Sequence, residues 1–179
     1  MRLFFALPLP GRLADQLGDI AFALPDLRPV DPDSLHLTLH FLGELDDAMA
    51  EEAARAAEGL LAGPVRLRLD GLGSFPAGRG LSLHAVVAPD PGLSDLHHRL
   101  GSRLAGAGLA LPRRRFRPHV TLGRAPRMTP RLETALAAHV GLAPPPVAPA
   151  RFGLYRSWLR PEGAQYERLV DYPLVLPVS

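Results

Sequence analysis

The chain has 179 residues and a formal net charge of +2, from 20 basic and 18 acidic side chains. Apolar residues make up 47% and charged residues 21% of the sequence, which excludes an intrinsically disordered chain. It contains no cysteine, which excludes disulfides, thiolate catalysis and cysteine zinc sites, and no apolar run approaches the roughly 20 residues of a membrane span. We expect one cytoplasmic domain over residues 1–179, with no membrane association.

The charges are unevenly distributed along the chain. Eight acids fall between residues 31 and 58 against Arg55 alone, whereas residues 111–131 carry seven arginines and no acid. A basic segment would favour an anionic substrate. A solvated loop and helix face would explain the same arginines equally well.

The first half of the chain is predicted to alternate strands and helices. Leu13, Leu17 and Ile20 give a helical apolar stripe, and the prolines of residues 25–33 predict an irregular segment. The predicted elements are a strand at 2–7, a helix to about 24, a strand at 35–42, a helix from 46 or 47 to about 61, and a strand at 65–72.

The second half is predicted to repeat this order after a loop at 73–80. The prolines of the tract APPPVAP indicate a linker, and the turn RPEG joins the last two strands. The predicted elements are a strand at 81–87, a helix from 94 or 95 to about 105, a strand at 117–123, a helix from 129 to 139, and strands near 151–157 and 166–174.

One short motif, His-x-Thr-Leu, occurs in a predicted strand of each half. The copies are His36-Leu37-Thr38-Leu39 and His119-Val120-Thr121-Leu122. With seven His and four Thr in the chain, random placement predicts only about 0.16 His-x-Thr matches. Because side chains alternate along a strand, each copy presents its His and its Thr on the same face. Two half-buried structural histidines are the alternative explanation.

The spacing around the motifs matches between the halves. From the motif His to the next strand there are 65 − 36 = 29 residues in the first half and 147 − 119 = 28 in the second. This similarity predicts an internal duplication and a pseudo-symmetric, two-lobed α+β protein. In such a protein the two motif strands would meet at the centre.

Two facing His–Thr pairs suit one kind of chemistry. Two histidines that titrate near neutrality can hold one proton between them, so one acts as base and the other as acid. Two threonine hydroxyls with a nearby arginine would bind the non-bridging oxygens of a phosphate. This predicts phosphoryl transfer through a cyclic ester without a metal or other cofactor.

The other histidines have simpler interpretations. By strict alternation His40 shares the face of His36 and could line a groove, although a packed strand residue is the more common case. His84 is expected in the core or on the surface, and adjacent His97 and His98 cannot form a paired site. The spacing of His36 and His40 would suit zinc only on a helix, so no metal site is expected.

At this point the sequence resembles the two-histidine phosphoesterases, and within them the RNA 2′,3′-cyclic phosphodiesterases, also called 2′-5′ RNA ligases. The matching pieces are RLFFALPLP, LHLTLHFLGEL, GLGSFP, RPHVTLGR and LYRSWLRPEGAQYERLVDYPL. The resemblance implies a bilobal fold of antiparallel sheets, with outer helices and a central groove. It also implies opening of a terminal 2′,3′-cyclic phosphate to a 2′-phosphomonoester, and joining of RNA ends through 2′-5′ linkages.

The resemblance also implies roles for individual residues. His36 matches the proton donor, His119 the proton acceptor, and Thr38 and Thr121 the phosphate-binding hydroxyls. Arg124 matches an arginine that helps hold the phosphate. Strict alternation puts Arg124 on the face opposite His119 and puts Arg117 on the same face as His119, so either a strand end re-aims Arg124 or Arg117 holds the phosphate.

The resemblance has one departure near the first motif. The family often has Trp where this chain has Arg28-Pro29-Val30, so any stacking role there is missing or moved. Among the aromatic residues, one or two could stack a terminal base: Phe5, Phe41, Tyr155, Trp158 and Tyr166.

The sequence is compatible with three functions. The first is a cyclic phosphodiesterase acting on RNA ends, of which tRNA-derived ends are one candidate, and working as a monomer. The second is a module that binds RNA ends or a nucleotide without turnover, which would not need two titrating groups. The third keeps the chemistry and acts on a small cyclic nucleotide derivative.

Overall fold

A computed structural model describes residues 1–161 and 163–175 of the chain. Within these residues it contains eight strands, four α-helices and a short 3₁₀ helix at Pro32–Ser34. The strands are β1 (Arg2–Pro8), β2 (Arg28–Pro29), β3 (His36–Glu44), β4 (Leu69–Ala77), β5 (Gly80–Val87), β6 (His119–Ala125), β7 (Arg151–Arg160) and β8 (Gly163–Pro173). The helices are α1 (Gly11–Ala23), α2 (Asp47–Ala57), α3 (Pro91–Gly106) and α4 (Pro130–Ala137).

The strands form one antiparallel sheet in the order β4-β5-β6-β3-β1-β7-β8, and β2 also pairs with β6. The two motif strands, β3 and β6, meet at its centre through the pair Leu37–Val120, and each of these residues directly follows a motif His. An isolated bridge joins Leu67 to Val147, near the start of the last strand counted in the spacing of each half. The predicted pseudo-two-fold α+β fold is confirmed, with its two lobes joined in a continuous sheet.

Helices cover the face of the sheet opposite the motif histidines. Leu37, Leu39, Val120 and Leu122 are buried in the same core as the apolar residues of α1, α2 and α3, for example Leu17 of α1. Burying such a side chain stabilises the fold by about 1.5–3 kcal/mol. Because neighbouring strand residues face opposite sides, this packing turns the His and Thr of each motif away from the helices.

Two predicted boundaries in the middle of the chain are wrong. Within residues 65–72 only Leu67 pairs before β4 begins, and β4 then continues to Ala77 through the segment predicted as a loop. The hairpin is closed by a two-residue turn whose first residue, Gly78, has φ +62°, as a type II′ turn requires. Pairing with β5 overrode the turn signal of the glycines and proline in this segment.

Two further elements differ from the prediction for local reasons. Helix α3 begins at Pro91, because Asp90 accepts a hydrogen bond from the Leu93 N–H and proline suits the first helical position. The segment 25–33, predicted to be irregular, contains β2, which pairs with β6 beside the second motif. Its prolines are compatible with a short edge strand.

Candidate active site

The floor of the site is formed by the central strand pair. Since Leu37 lies opposite Val120 in an antiparallel register, His36 lies opposite Thr121 and His119 opposite Thr38. Residues directly opposite have Cβ atoms about 4.5–5.5 Å apart, and diagonal neighbours have Cα atoms about 7–8 Å apart. The two histidines are such a diagonal pair on one face, so both imidazoles can reach a single phosphate.

The two imidazoles are held in the same way by the backbone. The Nδ1 of His36 lies 2.7 Å from the carbonyl oxygen of Ser34, and that of His119 lies 2.7 Å from the carbonyl oxygen of Arg117. A carbonyl only accepts, so each Nδ1 carries a proton and donates it. Each Nε2 is thereby left as the atom that accepts or gives up a proton at the floor of the site.

Each motif strand contains a β-bulge at the last leucine of its His-x-Thr-Leu motif. Pairing of β1 with β3 skips Leu39, and pairing of β5 with β6 skips Leu122. A bulge inserts one unpaired residue and reverses the alternation beyond it. The two bulges stand at equivalent positions of the two halves, three residues after each motif His.

The first bulge corrects the expected face of His40. Beyond Leu39, His40 pairs with core residue Phe5, so it lies on the helix side and not beside His36. Its Nε2 bonds the carbonyl oxygen of His97 at 2.8 Å, and the two rings stack at 4.1 Å. Burial lowers the pKa of His40, and the bond to His97 opposes this shift. His40 is a packing residue between β3 and α3.

The second bulge turns Arg124 into the site. Arg124 lies opposite Ser82, and Thr121 lies opposite His84, so Arg124 and Thr121 share one face. Arg124 lines the same cleft as His36. The Arg117 side chain is exposed outside that cleft, and the residue meets the site through its carbonyl.

The cleft over this floor has a volume of about 620 Å³. His36, Thr38 and Thr121 lie at its base, together with Arg124. His119 is on the same floor but does not line this cavity. The other lining residues come from the segment before β3, from β5 and β6, and from the β7–β8 hairpin: Arg28, Pro29, Val30, Asp31, Ser34, Ser82, Gly123, Leu159, Arg160, Gly163, Ala164, Gln165 and Tyr166.

Aromatic rings surround His36 on its outer side. Its ring centroid lies 4.9 Å from those of Phe4 and Tyr166, with the Tyr166 ring at 81° to the imidazole. Desolvation by these neighbours lowers the pKa of His36; the bond to the Ser34 carbonyl raises it, and the charge of His119 lowers it further. The electrostatic effect of His119 on His36 agrees with their diagonal placement.

Comparison with known proteins agrees with this geometry. The sequence model of the 2′-5′ RNA ligase superfamily matches residues 9–157. The chain belongs to the 2′-5′ RNA ligase superfamily. The described residues of this superfamily member include no helix long and apolar enough to cross a membrane.

The relatives of this superfamily member include proteins named as RNA 2′,3′-cyclic phosphodiesterases. The RNA 2′,3′-cyclic phosphodiesterase of Escherichia coli is 39% identical over 69% of this chain and 71% of its own length. That of Thermus thermophilus is 32% identical over 97% of this chain and 90% of its own. The crystal structure of apo Escherichia coli LigT is 30% identical, covers 97% and 96% of the two chains, and has a TM-score of 0.77.

His84 is a residue of this site that the sequence did not reveal. It pairs with Thr121, is 4% exposed, stacks on Phe75 at 4.1 Å and meets the His119 ring at 5.1 Å. Burial, and then the charge of His119, lower its pKa to about 4, opposed by the nearby carbonyl of Ser82. Within the described residues its Nδ1 does not reach hydrogen-bond geometry with any partner.

The predicted aromatic residues divide between core and site. Tyr166 lines the cleft, and Tyr155 stacks on Phe4 at 5.5 Å behind His36. Phe5 is buried in the core, and Phe41 lies beneath the guanidinium of Arg2 at 4.9 Å. Trp158 similarly lies against the guanidinium of Arg156. Tyr166 is therefore the predicted aromatic side chain with direct access to a ligand in the cleft.

Proposed function

We propose that this chain hydrolyses RNA 2′,3′-cyclic phosphate ends to 2′-phosphomonoesters by acid–base catalysis without a metal. The observation that carries the proposal is the crosswise arrangement of two histidines and two threonines, His36 opposite Thr121 and His119 opposite Thr38, on one face. The relatives are named RNA 2′,3′-cyclic phosphodiesterases, which supports the same substrate here.

In the proposed reaction the Nε2 of His119 takes a proton from water. The resulting nucleophile attacks phosphorus, and the bond from phosphorus to the ribose 3′ oxygen breaks. The protonated Nε2 of His36 gives its proton to that oxygen, leaving a 3′ hydroxyl and a 2′-phosphomonoester. Each proton transfer contributes about 10²- to 10⁴-fold in rate. The Nδ1 bonds to Ser34 and Arg117 hold both rings in the orientation that this requires.

The surroundings of His36 support its role as the proton donor. The aromatic contacts with Phe4 and Tyr166 lower the pKa of His36, which makes its imidazolium a stronger acid. In the free protein the same effect favours the neutral form. The negative charge of a bound phosphate favours the imidazolium and restores the proton.

Thr38, Thr121 and Arg124 supply hydrogen-bond donors for the phosphate. All three line the cleft beside His36. Donors already in place strengthen their bonds as charge grows on the non-bridging oxygens in the transition state. A guanidinium adds a positive charge and a planar pair of N–H groups that matches two phosphate oxygens.

The same two proton transfers would serve ligation. If the 5′ hydroxyl of a second RNA replaces water, attack on the cyclic phosphate again expels the 3′ oxygen and forms a 2′-5′ linkage. We therefore propose 2′-5′ ligation as a second activity. We also propose that the protein is a monomer in the cytoplasm and that tRNA-derived ends are among its substrates.

The experiment uses an RNA oligonucleotide ending in a 2′,3′-cyclic phosphate, incubated with the protein and EDTA. We expect a 2′-phosphate product, identified by ³¹P NMR, and a loss of about 10²- to 10⁴-fold in kcat for His36→Ala and His119→Ala. His98→Ala, at an exposed position on α3, is the matched control and should keep the wild-type rate. Absence of conversion, or full activity in both site variants, would contradict the proposal.

A further inference from the structure

Two arginines, Arg28 and Arg160, line the cleft in addition to Arg124. Arg28 of β2 lies directly opposite Arg124 of β6, and Arg160 lines the same cavity from the end of β7. Like charges placed opposite each other on adjacent strands repel and destabilise the pairing. The fold nevertheless places this pair on the wall of its cleft. An anion bound there would offset the repulsion between the two guanidinium groups.

The backbone holds Arg28 firmly in this position. The Val30 N–H donates to the carbonyl of bulge residue Leu122 at 2.8 Å, which fixes β2 against β6. A Cβ atom on Gly123 would overlap the carbonyl oxygen of Arg28, so glycine permits the close approach. The bulge that turns Arg124 into the site thus also anchors the strand that carries Arg28.

Arg28 also connects the two sides of the cleft. One of its guanidinium nitrogens donates to the carbonyl of Pro161 in the β7–β8 turn at 2.8 Å. A guanidinium has five N–H donors, so the others remain able to bind an anion in the cavity. Among the described residues that line the cleft, Asp31 is the one acid, and it accepts a hydrogen bond from the backbone N–H of Asp33. Arginines therefore exceed acids three to one among these described residues.

We propose that Arg28 and Arg160 form a second phosphate subsite, which binds the phosphodiester on the 5′ side of the terminal nucleotide. Resting on the proposed function, this makes an oligonucleotide, and not a cyclic mononucleotide, the preferred substrate. Arg28 lies opposite Arg124, three residues beyond Thr121 along β6 and on the side away from His119. Since the Arg124 side chain is assigned to the reacting phosphate, Arg28 and Arg160 are left to bind the next phosphate in the same cleft.

Three substrates test the subsite. The first is uridine 2′,3′-cyclic phosphate, the second carries an additional 5′-phosphate, and the third is the dinucleotide UpU with a terminal 2′,3′-cyclic phosphate. We expect kcat/KM for the dinucleotide to exceed that for the cyclic mononucleotide by roughly 10- to 100-fold, mainly through KM. The plot of log kcat/KM against log salt should be steeper by about 0.7 for the dinucleotide, because one more phosphate is neutralised.

We expect Arg28→Gln and Arg160→Gln each to reduce the ratio of kcat/KM for the dinucleotide to kcat/KM for the cyclic mononucleotide at least several-fold. Each variant should also reduce the additional salt dependence of the dinucleotide reaction. Because the ratio is taken within one variant, a general loss of activity cancels. Arg99→Gln, on α3 and paired with Asp95 at 3.6 Å outside the cleft, should keep the wild-type ratio.

Several results would overturn the subsite. These are a wild-type ratio near one, a ratio that both variants leave unchanged, or a gain confined to the 5′-phosphorylated mononucleotide. Turnover of the cyclic mononucleotide in the same series shows that the proposed function holds even when the subsite fails. Turnover of none of the three substrates would contradict the proposed function itself.

Discussion

The two halves of the molecule hold their histidines with the same backbone and surround them with different side chains. His36 and His119 each donate from Nδ1 to the carbonyl two residues earlier, and each strand bulges three residues after its histidine. Around them, His36 meets Phe4 and Tyr166, whereas His119 meets Phe75 and His84.

This difference indicates how a duplicated site can divide one reaction into two roles. The shared backbone hydrogen bonds give both imidazoles the same tautomer, so tautomer alone does not separate acid from base. The surroundings of His36 bear on its proposed role, because burial lowers the pKa of His36 and so makes its imidazolium a stronger acid than an exposed one. Three predictions test this comparison, beginning with the one that has the largest expected effect.

The first prediction separates the two histidines by their chemistry. Replacing the 3′ bridging oxygen of the substrate with sulfur gives a leaving group that needs no proton, because a thiolate is far less basic than an alkoxide. His36→Ala should lose about 10²- to 10⁴-fold in kcat with the oxygen substrate but less than about tenfold with the sulfur substrate. His119→Ala should lose about 10²- to 10⁴-fold in kcat with both substrates, since water must still be deprotonated.

Single-turnover rates with both substrates measure this effect, and His98→Ala is the control for histidine replacement. Equal rescue of the two variants would show that the halves have not divided the roles. Rescue of His119→Ala alone would reverse the assignment of acid and base.

Much of this site could be predicted because its pattern is local. Alternation along a strand placed His36 on one face with Thr38, and His119 on one face with Thr121. The matched spacing of the halves predicted that the two motif strands meet. These features depend on the pattern within one strand or on the spacing between two strands.

The other features of the site depend on the register between paired strands, which the local sequence pattern does not encode. The bulges at Leu39 and Leu122 arise from pairing with β1 and β5, and they reverse the predicted faces of His40 and Arg124. Contacts of His84 with His119 likewise require the β5–β6 register. Of the seven arginines at residues 111–131, Arg124 alone lines the cleft, and the others there, Arg28 and Arg160, come from distant segments.

The second prediction follows from the bulge at Leu122. Arg124→Gln should reduce kcat/KM by about 10- to 100-fold, because it removes a charge-assisted hydrogen bond to the phosphate. Arg117→Gln should change it less than about threefold, because that side chain lies outside the cleft and its carbonyl remains to orient His119. Steady-state kinetics on the cyclic mononucleotide compare the two. A larger loss in Arg117→Gln would place the phosphate near Arg117, before the start of β6.

The third prediction concerns stability and the additional histidine of the second half. Burial lowers the pKa of His84 to about 4 from an unfolded value near 6.5, so between these values the unfolded chain binds a proton that the folded chain excludes. The free energy of unfolding should therefore fall as pH decreases from 6.5 towards 4, by roughly 3 kcal/mol at most from this group. His84→Phe, which keeps a ring against Phe75, should remove that part of the pH dependence in urea denaturation.

His97 provides the matched comparison for His84. Burial also lowers the pKa of His97 to about 4, but this ring stacks on Phe116 at 3.8 Å and on His40, away from the cleft. His97→Phe should reduce the pH dependence of stability in the same direction and leave the pH–rate profile unchanged. His84→Phe should also shift that profile, because His84 contacts His119. Identical pH–rate profiles in both variants would show that His84 supports the second half only as packing, and that the chemical difference between the halves lies in the surroundings of His36.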